Sequence, residues 1–216
     1  MINYPTQNSK LEYQTPELYT QQRVKIYLGG LEEALNSISP VEVAQIIDLI
    51  IDAGRHGKMI FICGNGGSAS TASHMACDLA KGTRIEGFRP FRAIALTDSL
   101  PQITAWANDN GYDTCFSGQL EGLGQPGDLL IAISGSGNSP NVLSAVETAQ
   151  QLGMTTIGLA GFKGGALKSK VDYCLVIPAA CIEQVEDAHL VLEHTICATI
   201  RLNLAEKKRE LMEAAS

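Results

Sequence analysis

The chain has 216 residues, 45% of them hydrophobic and 18% charged, with a formal net charge of −7. That is enough apolar content for one globular core, and the acidic balance excludes nonspecific attachment to nucleic acid or an anionic membrane, neither of which offers counter-charge. No apolar run reaches the roughly 18–20 residues of a membrane span, and the polar start Met1-Ile2-Asn3-Tyr4-Pro5 lacks the apolar region of a signal peptide, so the cytoplasm is the expected location.

Residues 1–15 are polar and read as an irregular segment. A helix is expected over 17–37, with Leu18, Val24, Tyr27, Leu28, Leu31 and Leu35 as its apolar stripe; it precedes any strand and so needs a partner surface. Ser39-Pro40-Val41-Glu42 signals a second helix. Ser39 can cap it, Pro40 suits the first helical position, and Glu42 can close a capping box. Glycines 54 and 57 with His56 should stop it.

From Lys58 onward short apolar runs alternate with helix-like stretches. Strands are expected near 58–63, 91–96, 129–133, 155–160 and 173–177, and helices near 69–80, 99–108, 139–152 and 183–209. Five buried strands joined by crossovers make a parallel, doubly wound α/β sheet flanked by helices. No repeat or linker interrupts the pattern, so 16–210 reads as one domain, with extra N-terminal helices over 16–57 and an αβ core with a C-terminal helix over 58–210.

Two Gly/Ser loops carry the strongest chemical signal. Gly64-Asn65-Gly66-Gly67-Ser68 follows the run Met59–Cys63, and Ser134-Gly135-Ser136-Gly137-Asn138-Ser139 follows Leu129–Ile133. Each therefore lies at a strand's carboxyl end, where glycines let backbone approach a ligand and the next helix presents free N–H groups to an anion. Two such cradles point to a phosphorylated ligand. The first loop, extended to Ala69, also fits G-x-G-x-x-A, but Asp98 stands about 30 residues later rather than the usual ~20, and a nicotinamide-binding fold gives no reason for the second loop.

His74 and Asp78, spaced i, i+4 on the helix that the first loop opens, share one face and can serve as a metal pair or an acid/base couple. Glu186, His189 and His194 follow on the last helix. Asp187 and Glu193 read as a solvated charged face, and His189 as a structural or supporting histidine. Glu186 and His194 are eight residues apart, a rise of about 12 Å, so one ion contacts both only from between them or across a subunit boundary. Cys63, Cys77, Cys115, Cys174, Cys181 and Cys197 contain no C-x-x-C pair and read as reduced, mostly buried thiols; Cys77 alone lies beside the His74 and Asp78 pair.

Taken together, Cys-Gly-Asn-Gly-Gly-Ser at 63–68, His74 with Asp78, Ala-Asn-Asp at 107–109, Gly-Asp-Leu-Leu-Ile-Ala-Ile-Ser at 127–134, Ser-Gly-Asn-Ser at 136–139 and the helix from Glu186 to His194 resemble the sugar isomerase (SIS) domain family, in its phosphoheptose isomerase branch, over about residues 17–205. The resemblance implies an aldose–ketose isomerase acting on sedoheptulose 7-phosphate, as a homotetramer, with one zinc per subunit. It implies Asn65, Gly66, Gly67 and Ser68 as the first substrate loop, Asn108 and Asp109 as sugar contacts, and Ser134, Gly135, Ser136 and Ser139 as the phosphate loop. His74, Asp78, Glu186 and His194 match the metal positions; Asp78 and His194 match the acid/base pair, and Asp78 and Glu186 also face substrate.

Three residues depart from the family pattern: Asp78 stands where Glu is usual, Glu186 where Gln is usual, and Gly135 where Thr is usual. A rival from another class is a non-catalytic SIS protein that binds phosphosugars or partners such as a replication initiator. Such relatives lack part of the His/acid set, which this chain carries at all four positions.

Overall fold

The computed structural model describes residues 16–215; the segment 1–15, expected to be irregular, lies outside the described residues. Five parallel strands form one sheet: β1 (Met59–Cys63), β2 (Arg92–Ala95), β3 (Leu129–Ser134), β4 (Thr155–Gly161) and β5 (Tyr173–Ile177). Their order is β2-β1-β3-β4-β5, with Cys63 opposite Ala132 and Ser134 opposite Ala160. The chain leaves β1 toward one edge and β3 toward the other. The gap between those departures is the switch point where ligands of open α/β sheets bind, and both Gly/Ser loops stand there.

Every residue of β3 is buried, as expected of a strand covered on both faces. On one face α2 (Pro40–Arg55), α3 (Gly67–Cys77) and α8 (Ile182–Ala214) set Ile46, Ile50, Met75, Leu192 and Ile196 over Ile60, Ile62, Ile131 and Ile133. On the other, α5 (Ser117–Leu123), α6 (Pro140–Gln151) and α7 (Leu167–Lys170) set Leu120, Val142, Val146 and Leu167 over Phe61, Leu130 and Ala132. Each such fully buried aliphatic side chain stabilises by about 1.5–3 kcal/mol. α4 (Leu100–Asp109) follows β2. The short helices α5 and α7 are additions to the sequence expectation; seven and four residues are too few to print a helical period.

Ser39 caps α2 as expected, its Oγ accepting from the Glu42 amide at 3.4 Å. α1 (Pro16–Asn36) lies on α8, where Gln184 Nε2 donates to the Tyr27 carbonyl at 2.8 Å and Tyr27 Oη donates to Asp187 at 2.5 Å. Only part of the α1 stripe is used: Leu31 and Leu35 lean on the core, while Leu18, Val24 and Leu28 are 54%, 54% and 57% exposed. No single helix among the described residues is long and apolar enough to cross a membrane.

Candidate active site

The first loop turns into α3 through Gly66, whose φ of 56° lies where a side chain would be strained. Asn65 and Asn141 clasp each other across the switch point: Asn65 Nδ2 donates to Asn141 Oδ1 at 2.8 Å, and Asn141 Nδ2 returns to Asn65 Oδ1 at 2.9 Å. Tyr112 Oη adds a third bond, donating to Asn65 Oδ1 at 2.9 Å. The Asn65 side chain, expected at the substrate, thus also joins the first loop to the start of α6. Asn141 was not singled out from the sequence; an amide in the first turn of the helix after a Ser-rich loop is the signal that was there to read.

In the second loop Ser134 Oγ and Ser139 Oγ lie 3.1 Å apart, Ser136 accepts from the Asn138 amide at 3.2 Å, and Asn138 Oδ1 accepts from the Ala166 amide at 2.9 Å. Gly137 has φ 66°, and a Cβ there would run into the Gly164 carbonyl. Ser139 occupies the N-cap of α6 without capping it; Pro140 brings no N–H and the Val142 amide is taken by Asn141 Oδ1 at 3.0 Å, so the serine hydroxyls are the donors this loop offers to an anion. At Gly135 the place of a side chain is taken by Ile182, whose Cδ1 a Cβ would meet. Asn108 and Asp109 pair with each other at 2.8 Å on the exposed end of α4 and bond to neither loop among the described residues.

A second centre lies where α3 meets α8. α3 ends at Cys77, and the wider π-helical turn Asp78–Gly82 begins at Asp78, a distortion that frequently marks functional positions. His74 Nε2 stands 4.0 Å from Asp78 Oδ2, and His194 Nε2 stands 3.4 Å from Glu193 Oε2. The two imidazoles meet edge to face with centroids 4.8 Å apart. One atom from each of His74, Asp78, Glu193 and His194 lies within 4.8 Å of all the others. Asp78 and His194 also line a cavity of about 270 Å³ with Gly82, Cys197, Ala198 and Arg201.

Glu193 corrects the sequence reading: it is not on a solvated face but fully buried, with both carboxylate oxygens lacking a hydrogen-bond partner. Burial pushes its pKa up, while Cys197, His194 and His74 pull it back. The signal for this was present, because Glu193 falls on the same α8 stripe as Val185, His189, Ile196, Cys197 and Ile200, all buried. Glu186 stands outside the group of four. Its carboxylate lies against Gly67 at the start of α3, and burial raises its pKa, helped by Glu183 and Asp187. His189 is buried as expected of a structural histidine, and burial lowers its pKa from 6.5 to about 4, against a small upward pull from the backbone of Ala160.

Two imidazoles and two carboxylates form a donor set that suits a divalent ion such as zinc. A buried carboxylate without a partner is what such a cation would satisfy. Of the six cysteines, all free, four are buried and Cys77 alone is exposed, beside this cluster.

A flavodoxin-like strand order with two Gly/Ser loops at the switch point defines an SIS domain, and the SIS domain profile matches residues 28–161. A phosphoheptose isomerase of Trichlorobacter lovleyi is 44% identical over 163 residues, covering 75% of this chain and 82% of that one. One from Helicobacter pylori (strain P12) is 40% identical over 187 residues, covering 87% and 96%. The solved phosphoheptose isomerase of Neisseria gonorrhoeae superposes with a TM-score of 0.78 at 32% identity, covering 86% of this chain and 98% of that one. The chain belongs to the SIS domain family, in its phosphoheptose isomerase branch, and is an isomerase.

Proposed function

We propose that the protein interconverts sedoheptulose 7-phosphate and D-glycero-D-manno-heptose 7-phosphate in the cytoplasm, as a homotetramer. The observation that carries the reading is the carboxylate–imidazole pair Asp78 and His194 on one cavity, in a fold whose switch point holds a serine-lined anion cradle. The phosphate is held by the hydroxyls of Ser134, Ser136 and Ser139 at the start of α6. Gly66, Gly67 and Ser68 line the other side of the crevice, with Glu186, Asn108 and Asp109 facing the sugar hydroxyls.

In the ketose-to-aldose direction Asp78 removes a proton from C1 while His194 donates one to O2, giving the enediol. Asp78 then returns a proton to C2, and the O1 proton passes to His194, leaving the C1 aldehyde. When bound, a zinc ion held by His74, Asp78 and His194 supplies a Lewis acid for the carbonyl. The anchored phosphate brings the reacting carbons to the pair. α3 separates Gly67 from Asp78 by about 16 Å, longer than an extended heptose phosphate. That distance supports a site shared between neighbouring subunits, with the exposed α1 residues Leu18, Val24 and Leu28 as part of the contact that joins them.

The test is Asp78→Asn, which keeps shape but removes basicity. Turnover of sedoheptulose 7-phosphate should fall by about 10²-fold or more, with sugar-phosphate affinity by calorimetry within a few-fold of wild type. Undiminished turnover removes Asp78 from the chemistry.

A further inference from the structure

We propose that Asn141 and Tyr112 are positioning residues for substrate binding: they lock the Asn65 carboxamide in one orientation, so that its one uncommitted N–H is a fixed donor to the sugar phosphate at the switch point. The proposal rests on the sugar-phosphate reading of that crevice.

Asn141 is 1% exposed and makes all four bonds its amide can make. Its Oδ1 accepts from Asn65 Nδ2 at 2.8 Å and from the Val142 amide at 3.0 Å, and its Nδ2 donates to Asn65 Oδ1 at 2.9 Å and to Cys115 Sγ at 3.4 Å. Cys115 is itself fully buried. A buried amide in that state keeps its place, because any rotation leaves a donor or an acceptor unpaired.

The backbone sets the direction of these bonds. An N–H can only donate, so the Val142 amide, shared between Asn141 Oδ1 and the Ser139 carbonyl at 3.1 Å, requires the oxygen of Asn141 on its side. Reversing the Asn141 amide would set its NH2 group against that N–H. With Asn141 fixed, Asn65 must offer its oxygen to Asn141 Nδ2 and its nitrogen to Asn141 Oδ1. Tyr112 Oη, donating to Asn65 Oδ1 at 2.9 Å, fills the second position on that oxygen.

One donor is left over. Two bonds closed between the same pair of amides form a ring that uses the N–H lying beside each carbonyl oxygen. The other hydrogen on Asn65 Nδ2 is turned away from Asn141 and has no partner among the described residues. The clasp ties Asn65 to a residue two positions after Ser139, so this N–H and the serine hydroxyls lie at the same end of α6. Asn65 is half-buried. A donor held there before the ligand arrives contributes more to affinity than a mobile one, since less rotamer freedom is lost on binding.

The test is a double-mutant cycle in the full-length protein, with sedoheptulose 7-phosphate as the probe and calorimetry as the readout. Asn65→Ala removes the donor and should weaken binding about tenfold. Asn141→Leu, close to Asn in shape, removes the clasp and lets the donor rotate. It should weaken binding about three- to tenfold in the wild-type background, and by no more than about twofold once Asn65 is Ala. A role confined to holding the fold would cost the same in both backgrounds. Tyr112→Phe keeps a ring that is 54% exposed and loses one bond to Asn65 Oδ1. Its loss should be about two- to threefold and should also vanish beside Asn65→Ala, and it carries the test if Asn141→Leu does not fold. Unchanged binding in both Asn141→Leu and Tyr112→Phe overturns the proposal, as does a loss of equal size in the two backgrounds, or an Asn65→Ala protein that binds as wild type does. In those outcomes wild type still binds the sugar phosphate and only the positioning role fails; should wild type not bind it, the sugar-phosphate reading fails and the proposal with it.

Discussion

His189 gives this fold a predictable weakness in acid. Its ring is 1% exposed, neither nitrogen has a hydrogen-bond partner, and burial lowers its pKa from 6.5 to about 4. Between those values the unfolded chain holds a proton that the folded chain does not. Stability from this group is therefore complete above pH 6.5 and is lost as pH falls toward 4. With one pKa unit worth about 1.4 kcal/mol, going from pH 7 to pH 5 removes about 2 kcal/mol. His189→Leu keeps an apolar side chain in the space and removes the titration. Urea unfolding of both proteins at pH 7 and pH 5, with chelator present and protein concentration fixed, reads the difference. The variant should gain about 2 kcal/mol on wild type over that interval. Glu193 acts in the opposite sense, since a raised carboxyl pKa gives stability that is full below 4.5 and lost as pH rises, but it is present in both chains and cancels in the difference. An unchanged gap between the two proteins at the two pH values would refute the argument for a buried neutral imidazole.

Two further outcomes follow from the loops and from α1. Ser136→Ala and Ser139→Ala each remove a hydroxyl donor to a charged phosphate, about 1.5–3 kcal/mol, so calorimetry should find sugar-phosphate affinity reduced by about tenfold or more with the melting temperature nearly unchanged. Unaltered affinity in both variants would remove that loop from phosphate binding. Replacing Leu18, Val24 and Leu28 together with serine should lower the mass seen by light scattering at micromolar concentration, because these residues are exposed in a single chain; a wild-type mass would place the subunit contact elsewhere.

The parallel sheet was legible because its strands are short apolar runs, two of them ending in Gly/Ser turns, and all five expected strands lie within a residue of those observed at both ends, with β3 and β4 each longer by one. Helices α5 and α7 were not legible, since Gly118 and Gly122 in one and a length of four residues in the other erase any periodicity. His74 and Asp78 could be picked from sequence because i, i+4 spacing fixes a shared face, and His194 because it borders the apolar stretch Thr195–Ile200 of the last helix. Glu193 was misread for a physical reason: a charged residue is exposed by default, and only its place on the buried stripe of α8 argued otherwise. Glu186 was grouped with the cluster by resemblance, and the helix rise keeps it apart within one subunit. The Asn65–Asn141 clasp depends on two loops 76 residues apart in the chain, a proximity that only the strand order creates.

The most direct test of the central claim is proton exchange at the reacting carbons. Sedoheptulose 7-phosphate incubated with the protein and zinc in deuterium oxide should incorporate solvent deuterium at C1 or C2 by NMR, and the aldose phosphate should appear beside it, because Asp78 moves that proton through a group open to exchange. Asp78→Asn should abolish both signals on the same time scale. Absence of exchange and of aldose with the wild-type protein, while calorimetry still detects the bound sugar phosphate, would contradict the isomerase account and leave a sugar-phosphate-binding SIS domain in its place.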